Sequence, residues 1–157
     1  MIQHFLDYIA IERKYSQRTV EAYHDDLRDF CRFMGWEIGD FNPENVGEDD
    51  VKAWMLDMIE EQHQSPRSVK RKLSALRSFY KFLLRQKKVK RDITARIVPP
   101  KADKPLPVFF RPTEMETVTQ HDQWPEDVES IRDCLSIEVL YETGMRQAEL
   151  LGLQDAN

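Results

Sequence analysis

Apolar residues recur at steps of three and four along most of this chain, and that period constrains the fold more than any other feature. Val20, Tyr23, Leu27, Phe30 and Met34 follow it, as do Val69, Leu73, Leu76, Tyr80 and Leu83. Such a stripe buries one face of an α-helix, whereas a half-buried strand needs alternation at period two. No alternation and no Asn-Gly hairpin turn occur before residue 105, so this part of the chain reads as all α. With 41% hydrophobic residues the 157-residue chain has the side chains for a packed core, which excludes a disordered polymer. Its apolar runs, such as Phe82 to Leu84, fall far short of the ~20 residues of a membrane span. The first residues, Met1 to Asp7, have no basic stretch leading into an apolar run, so no secretion signal is read and a cytoplasmic protein is expected.

Breakers and caps divide the helical pattern. A first helix is predicted over Ile2 to Arg13, with Phe5, Leu6 and Ile9 facing inward, and Tyr15-Ser16 interrupts it. Ser16 is placed to cap a second helix that Gly35, Gly39 and Pro43 bring to an end. Asp49 or Asp50 is expected to cap a third, carrying Val51, Trp54, Met55 and Met58, and Ser65-Pro66 opens a fourth that runs to about Gln86. The prolines from Pro99 to Pro107 forbid a continuous helix and mark a linker. Beyond it, Pro112-Thr113-Glu114 and Pro125-Glu126 start further helices, the second ending at Gly144 in a C-cap position. The expected organisation is a helical domain over 1–90, a linker over 91–111 and the beginning of a second domain over 112–157. Cys31 and Cys134 stand singly among apolar neighbours, without metal-ligand spacing, and read as reduced core cysteines.

Charge is distributed in blocks. The formal net charge is −5, yet residues 62–104 hold 14 basic and 2 acidic side chains between two strongly acidic flanks. A local excess of that size is the footprint of a polyanion-binding surface. On the fourth helix Arg67, Lys70, Ser74, Arg77, Ser78, Lys81 and Arg85 fall within about 100° of arc, opposite the apolar stripe. Arg and Lys interleaved with Ser suit a helix in a DNA groove, because guanidinium forks bind phosphate or guanine edges and small hydroxyls permit close approach. A solvated basic face is the alternative. Against it, no Asp or Glu lies between Arg67 and Arg91 to supply the usual i±4 partners. Ser16 and Thr19, at a helix N-terminus, serve as cap and first-turn hydroxyl, and a phosphate could sit there as well.

Four segments in order resemble the N-terminal half of a tyrosine recombinase of the Xer and phage-integrase type. They are Ser16-x-x-Thr19-x-x-x-Tyr23-x-x-Asp26-Leu27-x-x-Phe30, then Arg71 to Leu83, then Pro99-Pro100-Lys101 with Leu106-Pro107, and finally Leu140 to Leu150. The resemblance implies a mainly α chain: a four-helix SAM-like core-binding (arm) domain, a linker, and the first helices of a truncated mixed α/β catalytic domain. In such enzymes a tyrosine attacks a backbone phosphate to give a 3′-phosphotyrosine link, which a 5′-hydroxyl later displaces, with no cofactor and no metal. Arg146 matches the family's first catalytic arginine, and Glu149, one turn on, is placed to orient it. The DNA-binding residues implied are Ser16, Thr19, Arg67, Lys70, Arg71, Ser74, Arg77, Lys81, Lys101 and Lys104. The partners implied are duplex DNA and further recombinase protomers, with no membrane and no small-molecule substrate.

A full member continues through a strand-borne lysine, a His-x-x-Arg segment, a further His or Trp and a late nucleophilic tyrosine. These residues do not occur here, and Tyr8, Tyr15, Tyr23, Tyr80 and Tyr141 all lie in segments matching other parts of the family. The chain therefore reads as a fragment, inactive in cleavage by itself, with Phe109-Phe110 lacking packing partners. Two other readings stay open: a stand-alone helical DNA-binding regulator, and a helical protein-interaction module whose basic helix meets an acidic partner.

Overall fold

The computed structural model describes residues 1–101, 106, 108–120 and 124–154. Lys104, Pro105 and Pro107 of the expected interface and linker, and the terminal Asp155 to Asn157, lie outside the described residues. The chain forms two compact units, Met1–Lys104 and Pro105–Asn157.

In the first unit α1 spans Ile2–Asp7 and continues as a wide π-helical turn over Tyr8–Glu12, where the periodicity predicts a uniform helix to Arg13. Phe5, Leu6 and Ile9 are buried as expected. Helix α2 spans Gln17–Phe33, and its cap Ser16 accepts the Thr19 backbone N–H at 3.3 Å. Helix α3 spans Glu48–Glu60 and is capped by Gly47, not by Asp49 or Asp50. The physical reason is that Asp50 acts from inside the first turn, its carboxylate accepting the Gly47 N–H at 2.7 Å. Helix α4 spans Pro66–Arg85, with Ser65 as its cap. The buried faces meet in one core that includes Phe30, Val51, Trp54, Met58, Leu76 and Phe79. Ile93 and Ile97 join that core, so the segment after α4 packs back onto the helices.

A repetition hidden in the apolar pattern emerges in the fold. The α1–α2 and α3–α4 hairpins turn identically, each residue of the second lying 49 positions after its counterpart. Arg13 N–H reaches Tyr8 O and Tyr15 N–H reaches Ile9 O, at 3.1 and 3.0 Å. Gln62 to Asp57 and Gln64 to Met58 repeat these bonds at 3.0 and 2.9 Å. Lys14 and His63 both take a left-handed backbone, with φ of 53° and 49°. Two residues on, Ser16 and Ser65 cap the next helix, each with its hydroxyl paired to that of Thr19 or Ser68. Contacts between the hairpins obey a two-fold exchange: the Phe5 and Phe79 rings lie 5.2 Å apart, and their counterparts Trp54 and Phe30 lie 4.9 Å apart. Each hairpin thus covers the apolar face that the other cannot bury alone.

The second unit, taken by itself, contains α5 (Pro112–Val118), α6 (Val128–Thr143) and α7 (Gln147–Leu150). Helix α6 begins after Asp127, whose carboxylate accepts the Ser130 N–H at 2.9 Å, slightly later than Pro125-Glu126 suggested. Gly144 closes it in a left-handed conformation, φ 65°, as its position predicted. No strand occurs among the described residues, and Phe109, Phe110, Val128 and Leu151 are largely exposed.

Candidate nucleic-acid interface

Helix α4 is amphipathic in the sense the sequence required. Val69, Leu73, Leu76, Tyr80 and Leu83 are buried, while Arg67, Lys70, Arg71, Ser74, Lys81 and Arg85 are exposed and Arg77 and Ser78 are half-buried. The side chains of this face are engaged very differently. Among the described residues no ion pair holds Arg67, Lys70 or Lys81, so their charge is available to a ligand. The Ser74 hydroxyl donates back to Lys70 O at 2.8 Å, which keeps it short and flat against the helix.

Arg71 and Arg77 carry internal tasks. The Arg71 guanidinium meets the Asp26 carboxylate of α2 at 2.5 Å, with the arginine side chain half exposed and the aspartate 2% exposed. Burial pushes the Asp26 carboxyl above its ordinary range, and the neighbouring Arg71 offsets this only in part. Arg77 donates to the Ile97 carbonyl and so ties the segment after α4 to the helix. Beside them, Lys72 points inward and meets Asp29 at 2.7 Å. These carboxylates come from α2, 43 and 45 residues away, where i±4 arithmetic along α4 does not look.

Ser16 and Thr19 stand exposed or half-exposed at the start of α2, and Lys101 is exposed. One cluster went unnoticed in the sequence. Arg13 and Tyr15, from the α1–α2 turn, line a cleft together with Tyr8, Ser78, Lys81 and Arg85. Arg85 donates to the Tyr8 hydroxyl and its guanidinium lies 5.6 Å from the centre of the Tyr8 ring. The signal that could have found it is the basic pair Arg13-Lys14, which stands apart from the large basic block.

In the second unit Arg146 precedes α7 and projects into solvent, its side chain 85% exposed. Glu149 folds back on it, accepting the Arg146 backbone N–H at 2.9 Å and the guanidinium at 3.0 Å, the pairing that i,i+3 spacing predicts. Those bonds hold the Glu149 carboxyl below the usual carboxylate range. Cys31 is buried and its thiol is pushed up to about 11, which suits packing and not nucleophilic chemistry. No group of three or more metal-ligating side chains occurs among the described residues, and no helix there is long and apolar enough to cross a membrane.

Comparison with known proteins places this geometry in context. Residues 2–87 match the family described as phage integrase, N-terminal SAM-like domain. The chain is 37% identical over 153 residues to a tyrosine recombinase XerC of Roseiflexus castenholzii, covering 97% of this chain and 48% of that protein. It is 38% identical over 149 residues to the XerC of Leptospira interrogans, covering 94% and 47%. A crystal structure of XerA recombinase aligns over 99% of this chain and 50% of its own length, with 23% identity and a TM-score of 0.49. The chain thus spans about half the length of the curated relatives it matches.

Proposed function

Because the chain belongs to the phage-integrase N-terminal SAM-like domain family, we propose that it is the DNA-grasping portion of a site-specific tyrosine recombinase, which cuts and rejoins duplex DNA through a 3′-phosphotyrosine intermediate. The observation that carries this reading is the α4 face, where Arg67, Lys70 and Lys81 stand exposed and unpaired among the described residues. Phosphate contacts by such cations supply affinity, and Ser74 between them leaves room for the duplex to approach. Ser16, Thr19, Arg71, Arg77 and Lys101 extend the surface, and Lys104 is assigned the same role from its sequence position alone. Arg71 does so from a guanidinium that Asp26 holds in one orientation.

Arg146 serves the chemistry in this proposal. As a tyrosine oxygen bonds to phosphorus and the 5′-oxygen leaves, negative charge grows on the nonbridging oxygens, and a guanidinium fork stabilises it with fixed geometry. Glu149 positions that fork. Further protomers join on the DNA.

The test is duplex binding followed by fluorescence anisotropy over a range of salt concentrations. Each phosphate contact contributes about −0.9 to the slope of log K against log salt, so Arg67→Ala with Lys70→Ala should shallow the slope by about 2. Salt-independent binding, or none, overturns the reading and favours the protein-interaction alternative.

A further inference from the structure

We infer that the cleft between the α1–α2 turn and the C-terminal half of α4 is a seat for a backbone phosphate of duplex DNA, formed by Arg13, Tyr15, Ser78, Lys81 and Arg85. This rests on the DNA-binding reading above and adds a site to it.

The argument comes from the internal repeat, which supplies a control within the molecule. Two-fold exchange of the hairpins carries this cleft of about 210 Å³ onto a wider second one of about 480 Å³, lined by Asp57, Gln62, Gln64, Asp29, Arg32, Phe33 and Lys72. Tyr8 corresponds to Asp57, Arg13 to Gln62, Tyr15 to Gln64, Ser78 to Asp29, Lys81 to Arg32 and Phe82 to Phe33. The turns share their backbone hydrogen bonds, whereas the charges differ: the first cleft is cationic and the second neutral. Arg85 has no counterpart in the second, because α2 ends at Phe33, before the equivalent Trp36. In the second cleft Asp29 is taken up by Lys72 at 2.7 Å and approached by Arg32 at 3.7 Å. Gln62 donates to Asp57 at 2.6 Å, and Gln64 to Gln62 at 2.5 Å. Its two cations face two carboxylates, and its charges balance, although the buried Gln64 Oε1 has no hydrogen-bond partner.

The first cleft has three cations and no carboxylate among its lining residues. Arg85 is turned inward by the Tyr8 hydroxyl and ring. Arg13 and Lys81 have no ion-pair partner among the described residues. Assembling three like charges around one concavity is unfavourable unless an anion enters it. Position decides which anion. Ser78, Lys81 and Arg85 continue the helical arc of Arg67, Lys70 and Ser74, so a duplex on that face brings its phosphates to the cleft mouth. The two hairpins thus differ at this place, one presenting an anion seat and the other neutralising the corresponding space.

The experiment uses the whole chain and a labelled duplex in anisotropy titrations at several salt concentrations. Arg13→Ala should weaken binding about fivefold or more and shallow the salt slope by about 1, as expected for one lost phosphate contact. Ser78→Asp, which installs the carboxylate of the counterpart cleft, should weaken it at least tenfold. Gln62→Ala, the counterpart of Arg13→Ala, should leave both affinity and slope unchanged. Inorganic phosphate should compete no better than chloride at equal ionic strength. Should Arg13→Ala bind normally while Arg67→Ala with Lys70→Ala binds weakly, the cleft assignment falls and the DNA-binding reading stands. Absence of salt-dependent binding by the unmodified chain removes both. Selective displacement by inorganic phosphate overturns the duplex assignment in favour of a small-anion site. Arg13 is exposed, so its substitution tests the cleft even if Ser78→Asp fails to fold.

Discussion

The Asp26 carboxylate on α2 holds the Arg71 guanidinium on α4 at 2.5 Å, so a buried acid orients a half-exposed base at the edge of the cationic face. Part of that face is thus built into the fold, and part is free for a ligand. The distinction governs how the molecule should respond to substitution.

Asp26 makes stability depend on acid pH. Burial raises its carboxyl in the folded state above the ordinary 3.8, so the folded chain takes up the proton more readily than the unfolded one. The stabilisation from this protonation is complete below the unfolded value and is lost as pH rises through the folded value. Urea unfolding of the parent chain and Asp26→Asn across acid pH should show the parent losing stability over that window relative to the variant. Parallel profiles would contradict the assigned direction.

Lys72 contributes through its stem as well as its charge. Lys72→Met keeps the buried aliphatic part and leaves Asp29 partly solvated, so unfolding free energy should change by no more than about 1 kcal/mol. Lys72→Ala opens space in the core and should cost about 2 kcal/mol or more. Equal losses in the two variants would show that the ion pair dominates.

Arg77 ties down the segment that follows α4. The amides of Ala95 and Ile97 bond to Asp92 O and Thr94 O, at 3.3 and 3.2 Å, in turns that Arg77 braces through the Ile97 carbonyl. Arg77→Ala should accelerate hydrogen exchange at these two amides selectively, with α2 amides unchanged. Uniform acceleration would instead indicate global destabilisation.

Gly35 has φ of 72° after α2, and nothing lies within 4 Å of the position a Cβ would occupy. The cost of Gly35→Ala is therefore conformational only, about 1 kcal/mol in thermal unfolding, with Gly35→Asn losing less. A loss several times larger would point to a steric clash absent from the structure.

Arg146→Ala, made in a recombinase containing this chain, should leave site binding nearly unchanged and lower single-turnover cleavage at least ~100-fold, the scale of one preorganised stabilising donor. Arg146→Lys should recover little, because a point charge lacks the paired hydrogen bonds of the guanidinium. Parallel loss of binding and cleavage would make Arg146 a positioning residue.

Local physics made much of the molecule legible in the sequence. Period-3.6 stripes, the Ser16 and Ser65 caps and the Gly144 stop depend on residues within one helical turn of each other, and each lies where the pattern put it. The Arg146–Glu149 pair is equally local. Only tertiary structure decided which cations of the basic helix are engaged, since Asp26 and Asp29 reach Arg71 and Lys72 from another helix. It also decided the Gly47 cap, where a carboxylate reaches back instead of starting the helix. The repeat escaped the sequence for a related reason: apolar positions that need only be buried tolerate Phe5 against Trp54 or Ile9 against Met58, so the two hairpins share geometry while few identities survive. Whether a cleft between their elements is cationic or neutral depends on residues brought together from both hairpins, and only the packed chain assembles them.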